Sequence, residues 1–124
     1  MTVSLKHQPA AIRVARSTVH DACAALTVTS RDTAVLLTSE LVTNAVRHGQ
    51  PPIDITIERD QRVVKVTVTD TNPARPVLSP RRLATSDHRG LQIVDALAAA
   101  WGVQDRPVGK AVWFYVTDDD AVPL

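Results

Sequence analysis

Glu40, Asn44 and His48 recur at i, i+4 and i+8 within SELVTNAVRHG, residues 39 to 49. Each step of four residues turns a helix by about 400°, so successive members drift only about 40° around its axis. The three form one polar stripe beside the apolar stripe of Leu37, Leu41 and Ala45. A helix this apolar has no structural need of a carboxylate, an amide and an imidazole in a row. Arg47 stands next to His48. A cation in the last turn complements the helix dipole.

Two more positions invite a chemical reading. Asp70 continues the parity of Val64, Val66 and Val68, which puts it on the inward face at the end of a strand. A buried carboxylate costs free energy unless a donor meets it. It either caps the following turn, a common Asx role, or is kept for a ligand's donor such as an exocyclic amine. Gly90, in His88-Arg89-Gly90, stands where an irregular segment gives way to a helix. Free N–H groups at a helix N-terminus bind phosphate readily, although a lone glycine can simply end a loop. Cys23, the single cysteine, lies in a helical pattern and reads as a small buried hydrophobe. His7, His20, His48 and His88 have no metal-ligand spacing.

The elements that must hold these residues follow from periodicity. A first helix is expected from about Pro9 to Leu26, with Ile12, Val19, Ala22, Cys23 and Leu26 on one side. Thr29 or Ser30 is the expected N-cap of a second helix running to His48, which Gly49 and Pro51-Pro52 end. Ile53, Ile55 and Ile57, then Val64, Val66 and Val68, alternate with polar residues around the turn Arg59-Asp60-Gln61-Arg62. This reads as an antiparallel hairpin with one face on a core. Residues 71 to 88 hold three prolines and no periodicity, as a lid or binding loop does. A third helix is expected over about Arg89 to Trp101, closed by Gly102, with Leu91, Val94, Leu97, Ala98 and Trp101 inward. A short strand at Val103 to Asp105 and a central strand in GKAVWFYVT, 109 to 117, follow, and the tail DDDAVPL reads as solvated. The order predicts an α+β two-layer sandwich with an antiparallel or mixed sheet and helices on one face.

A chain of 124 residues suffices for one domain with one core, here spanning 1–124. Aromatic residues are only 3%, so Ala, Val, Leu and Ile must build that core. A net charge of +1 argues against a dedicated nucleic-acid binder. The N-terminus lacks a signal-peptide core, and the apolar run Ala96 to Trp101 falls far short of the ~20 residues of a membrane span. A cytoplasmic location without membrane attachment is therefore expected.

Taken together, these regions resemble the Bergerat-fold (GHKL) ATPases, shared by histidine-kinase catalytic domains, Hsp90, gyrase B and MutL. The sequence most closely resembles the small anti-sigma-factor serine/threonine kinases of bacteria. SELVTNAVRHG is similar to the family's N box, VTDTNPARP to its first glycine box, HRGLQIVDALAAAWGV to its second and GKAVWFYV to its final strand. The resemblance runs from about Ala10 to Thr117 and implies a mixed, mostly antiparallel sheet. It also implies ATP and Mg²⁺ as cofactors, with Asn44 ligating the Mg²⁺. Glu40 would be the catalytic residue, as general base or by orienting the protein hydroxyl that attacks the γ-phosphate. Arg47, His48, Asn72, Arg89, Gly90, Leu91, Gly109 and Lys110 would line the nucleotide, and Asp70 would accept the adenine amine. Residues 71 to 88, with Arg81 and Arg82, would form the lid.

The implied partners are a sigma factor and an anti-anti-sigma (STAS-domain) protein as phosphoacceptor, with a homodimer left open and no direct DNA binding. The chain departs from the family where the first box, Asp70-Thr71-Asn72-Pro73, has neither glycine, and where Ala111 replaces a threonine. Losing one such hydrogen bond costs about 0.5–1.5 kcal/mol. A second reading, a sigma-factor or regulator-binding module with ATP weak or absent, draws on those departures. A third, the catalytic half of a histidine kinase, is disfavoured for want of a segment to serve as its phosphoacceptor domain. The resemblance predicts that Asn44→Ala abolishes Mg²⁺-dependent ATP binding in calorimetry while the melting temperature stays nearly unchanged. A collapse of thermal stability would make Asn44 a structural residue instead.

Overall fold

Ile53, Ile55 and Ile57 are buried while Asp54 and Thr56 between them are not, and Val64, Val66 and Val68 repeat the pattern. Period-two burial of this kind needs a core on one face only, which the helices supply. The structure, a computed structural model, describes residues 1–74 and 86–118, and within 86–90 the backbone alone. Its elements are β1 (Thr2–Leu5), α1 (Ala10–Ala22), α2 (Val28–His48), β2 (Ile53–Arg59), β3 (Val63–Asp70), α3 (Ser86–Leu97), β4 (Ala100–Asp105) and β5 (Lys110–Thr117). The expected lid residues between 74 and 86, Arg81 and Arg82 among them, lie outside the described residues, as does the tail beyond Asp118.

The five strands form one sheet in the order β1-β2-β3-β5-β4, and each neighbouring pair is antiparallel. The fold is α+β, as expected, and the sheet is antiparallel throughout rather than mixed. Phe114 on β5 is fully buried and packs with Leu37 and Val42 of α2 and with Leu91 and Val94 of α3 in one core. Cys23 is buried in that core, and desolvation pushes its thiol up to about 11 despite the nearby Arg59 and Arg31. A thiol so placed stays neutral at physiological pH. Among the described residues no helix is long and apolar enough to cross a membrane.

Several boundaries differ from the sequence expectation. The first helix stops at Ala22, and the chain turns through 23–26 with Cys23 and Leu26 still in the core. The N-cap of α2 is Thr27, not Thr29 or Ser30: Thr27 is extended (φ −60°, ψ 157°) and its Oγ1 accepts from the Ser30 N–H at 3.2 Å. The third helix runs over Ser86–Leu97, and Trp101 and Gly102 belong to β4, paired with Phe114 and Trp113. Gly102 therefore does not close a helix. A Cβ there would come within 2.7 Å of the Trp113 ring, so the glycine lets the indole lie on the strand. Leu97, expected inward, is half exposed at that helix's end. The strand β1 was not expected at all, and it extends the sheet beside β2.

Asp118 closes the far end of the architecture. Its carboxylate accepts from the Thr27 hydroxyl at 2.9 Å and from the Thr27 N–H at 3.3 Å, clamping the end of β5 to the start of α2. Hydrogen bonding from the Ser30 hydroxyl, then from Thr27, with the Arg62 charge, holds this carboxyl below the ordinary aspartate value against the opposing effect of burial. A carboxyl depressed by folding contributes stability above its unfolded pKa and loses it as pH falls through the folded one. Asp118→Ala is therefore expected to cost about 1.5 kcal/mol at pH 7 in denaturant melts. The difference from the unmodified protein should shrink as the pH falls below about 4. A gap that does not vary with pH would remove the charged clamp from the explanation.

Candidate functional site

The stripe predicted on α2 is present. Glu40 and Asn44 are half-buried on a helix whose next stripe, Leu37, Leu41 and Ala45, is in the core, and Arg47 and His48 are exposed at its end. The helix packs against α3 as well as α1. Asn44 Nδ2 is buried with no hydrogen-bond partner among the described residues, and so is Gln92 Nε2 on α3. A buried donor left unmade costs about 1–3 kcal/mol, so two such amides on adjoining helices suit acceptor oxygens brought by a ligand. Burial pushes the Glu40 carboxyl above the ordinary glutamate value. A carboxylate raised this way is a better proton acceptor than an exposed one.

At the C-terminal end of α2 the chain turns back onto the sheet. Gly49 caps the helix, its N–H bonded to the Ala45 carbonyl at 2.9 Å. A Cβ on Gly49 would lie 2.7 Å from Asp70 Cγ, so only glycine lets the helix end approach that carboxylate. Asp70 itself is buried, as its parity required. Its Oδ1 accepts from the Asn72 N–H at 2.8 Å, the Gln50 N–H at 3.4 Å and Lys110 Nζ at 3.2 Å, and its Oδ2 lies 3.1 Å from the same ammonium. Lys110 is buried too, and Nζ also donates to the Asn72 carbonyl at 3.0 Å. The β3–β5 register places Asp70 directly opposite Lys110. Gly109, just before it, sits at φ +85°, where a Cβ would collide with the backbone of Asp70 and Thr71.

The missing glycines of the first box are replaced by side-chain bonds. Asn72 donates from Nδ2 to the His48 carbonyl at 2.6 Å and accepts at Oδ1 from the Ala74 N–H at 3.0 Å. Thr71 donates its hydroxyl to the Pro51 carbonyl at 2.9 Å. The Asn72 amide, expected to face a nucleotide, is thus engaged at both ends within the chain.

The structure brings Glu40 and Asn44 together on one helix, and Asp70, Asn72, Gly109 and Lys110 together at one corner of the sheet. Arg89 and Gly90 lie in α3, and their side chains are outside the described residues. Because α3 starts at Ser86, the N–H groups left free by helix geometry lie about one turn ahead of Gly90, which does not open the helix. The Leu91 side chain is core. Sequence reasoning missed Gln92, and it missed that Lys110 meets Asp70. The signal for the second was available: Lys110 shares parity with Val112, Phe114 and Val116, all buried.

A nucleotide presents phosphate oxygens at one end and a base at the other. The α2 end suits phosphate oxygens, through the unspent amide nitrogens of Asn44 and Gln92. The Asp70 end does not fit an amine-bearing base, because its carboxylate already holds donors from the chain itself.

The profile of the Histidine kinase-like ATPase domain family matches residues 5–116. No curated protein matches the sequence. Among solved structures, the histidine kinase domain of the blue-light activated histidine kinase EL346 from Erythrobacter litoralis superposes with a TM-score of 0.56 at 19% identity. That match covers 87% of this chain and 59% of the other. The Acinetobacter baumannii histidine kinase AdeS superposes with a TM-score of 0.55 at 12% identity, covering 97% and 68%. At such identities the likeness is one of fold.

Burial of Glu40 has a consequence for stability. A carboxyl raised by folding contributes stability below its unfolded pKa and loses it as pH rises through the folded value. Glu40→Gln, which removes the ionisation, is therefore expected to melt no lower than the unmodified protein at pH 8. Its advantage should close as the pH falls toward 4. A variant less stable at both pH values would show that the Glu40 carboxylate is tied into the fold.

Proposed function

The chain belongs to the histidine kinase-like ATPase domain (GHKL) family, and on that premise we propose that it is an ATP-dependent serine/threonine kinase of the anti-sigma type. In this reading it phosphorylates a STAS-domain partner and sequesters a sigma factor. The observation that carries the reading is the α2 stripe, where a desolvated carboxylate and an amide with an unspent buried donor stand one turn apart. Asn44 would hold Mg²⁺ through its amide oxygen, and Gln92 would face phosphate oxygens. When bound, the magnesium nucleotide supplies the phosphoryl group and offsets its charge.

The chain's own residues do the rest. Glu40 receives the proton of the attacking hydroxyl on its carboxylate, and its raised pKa brings it closer to a base's working range. Placed on a helix whose adjacent stripe is locked in the core, that carboxylate is held still, which phosphoryl transfer requires of its positioning groups. Arg47 and His48, exposed on the last turn, add positive potential at the end of the stripe, His48 when protonated.

A second reading keeps the same fold as a sigma-factor or regulator-binding module with a weak nucleotide site. The buried Asp70–Lys110 pair is the observation that favours it.

Glu40→Gln separates the two. General-base help is typically worth 10²–10⁴-fold, so phosphate transfer to a STAS partner should fall by about that much. Affinity for ATP should barely change, because Asn44 and Gln92 are untouched. Radiolabelled phosphate transfer beside calorimetry reads both quantities. An unmodified protein that holds its sigma factor yet transfers no phosphate would leave the binding module standing.

A further inference from the structure

Lys110 is the residue that neither the proposed transfer nor the core accounts for. Burying an ammonium is costly unless it is met, and here Nζ donates to Asp70 Oδ1 at 3.2 Å and to the Asn72 carbonyl at 3.0 Å, and forms an ion pair with Asp70 Oδ2 at 3.1 Å. Both oxygens of the carboxylate are engaged from within the chain. Oδ1 accepts from Lys110 and from the Asn72 and Gln50 N–H groups, Oδ2 faces the same ammonium, and Gly49 lies against the group. The tether is short as well. Gly109, at φ +85°, brings the start of β5 against the backbone of Asp70, so Lys110 rises directly opposite its partner in the register.

We propose that Lys110 occupies, from within the chain, the place an amine-bearing base would take on Asp70, so that the site grips a nucleotide by its phosphates and does not select adenine. This rests on the nucleotide-binding reading above and adds its specificity. An exocyclic amine is a neutral donor, and it competes poorly with an ammonium for a buried carboxylate. Displacing the ammonium would leave two desolvated charges apart, a loss on the order of a hundredfold or more in affinity. Lys110 therefore sets specificity by closing the base end.

Calorimetry with ATP, GTP and inorganic tripolyphosphate, each with Mg²⁺, tests this on the unmodified protein. The three dissociation constants are expected within about threefold of one another, because one lost hydrogen-bond pair would already separate them further. ATP bound tenfold or more tightly than GTP overturns the proposal while leaving the nucleotide site intact. Lys110→Thr and Lys110→Met, which free the carboxylate, should tighten ATP at least tenfold relative to GTP. An unchanged ratio in folded variants also overturns it. Should both variants fail to fold, the comparison in the unmodified protein decides alone. Failure of all three ligands to bind the unmodified protein and both variants removes the nucleotide reading itself, and this inference with it.

Discussion

Eight consecutive residue pairs join β3 to β5, from Val63 opposite Thr117 to Asp70 opposite Lys110. This antiparallel pairing lies inside the sheet, and both the core and the site depend on its register. It sets Val66 across from Phe114 and Val68 across from Val112, so that the inward side chains meet α2 and α3. A slip of one residue would turn every one of those side chains to the other face. At one end the same register delivers Asp118 to the N-cap of α2, and at the other it delivers Lys110 to Asp70. The two ends of α2 are thus tied to the two ends of one strand pair.

That arrangement explains how α2 serves two demands at once. Its core stripe of Leu37, Leu41 and Ala45 is fixed by burial, and Thr27 with Asp118 fixes where the helix begins. Gly49 fixes where it ends. With both ends and one face determined, the adjacent stripe has no freedom to rotate away. Glu40 and Asn44 are consequently held half out of water at a cost, seen in the raised carboxyl and the unmet amide nitrogen.

The opposite pattern holds at the corner near Asp70. There the chain satisfies everything: the carboxylate, the ammonium, both ends of the Asn72 amide and the Thr71 hydroxyl all have partners. Side-chain bonds from Asn72 do the work that flexible glycines would otherwise leave to the backbone. A turn closed by such bonds is stiffer than one built on glycine, whose freedom of φ makes ordering costly. One end of the region therefore holds unmet buried donors, and the other is bonded within the chain.

Local pattern alone was enough for the α+β class, the β2–β3 hairpin, the α2 stripe and the inward Asp70, because each rests on a period of 3.6 or 2 that short stretches display. The family likeness was legible too, since its boxes are contiguous runs. What the sequence left open needed partners distant in the chain. β1 has only Val3 and Leu5 as apolar signal, and it becomes a strand because β2 offers an edge. Trp101 and Gly102 continue a helical-looking run of alanines, yet pairing with Phe114 and Trp113 draws them into β4. Thr27 outcompetes Thr29 and Ser30 as the cap because Asp118, 91 residues away, accepts its N–H and hydroxyl. Lys110 reads as a solvated strand-end cation until the register sets it on Asp70, 40 residues earlier. Periodicity reports which face a residue takes, whereas only the folded chain decides which charge waits on that face.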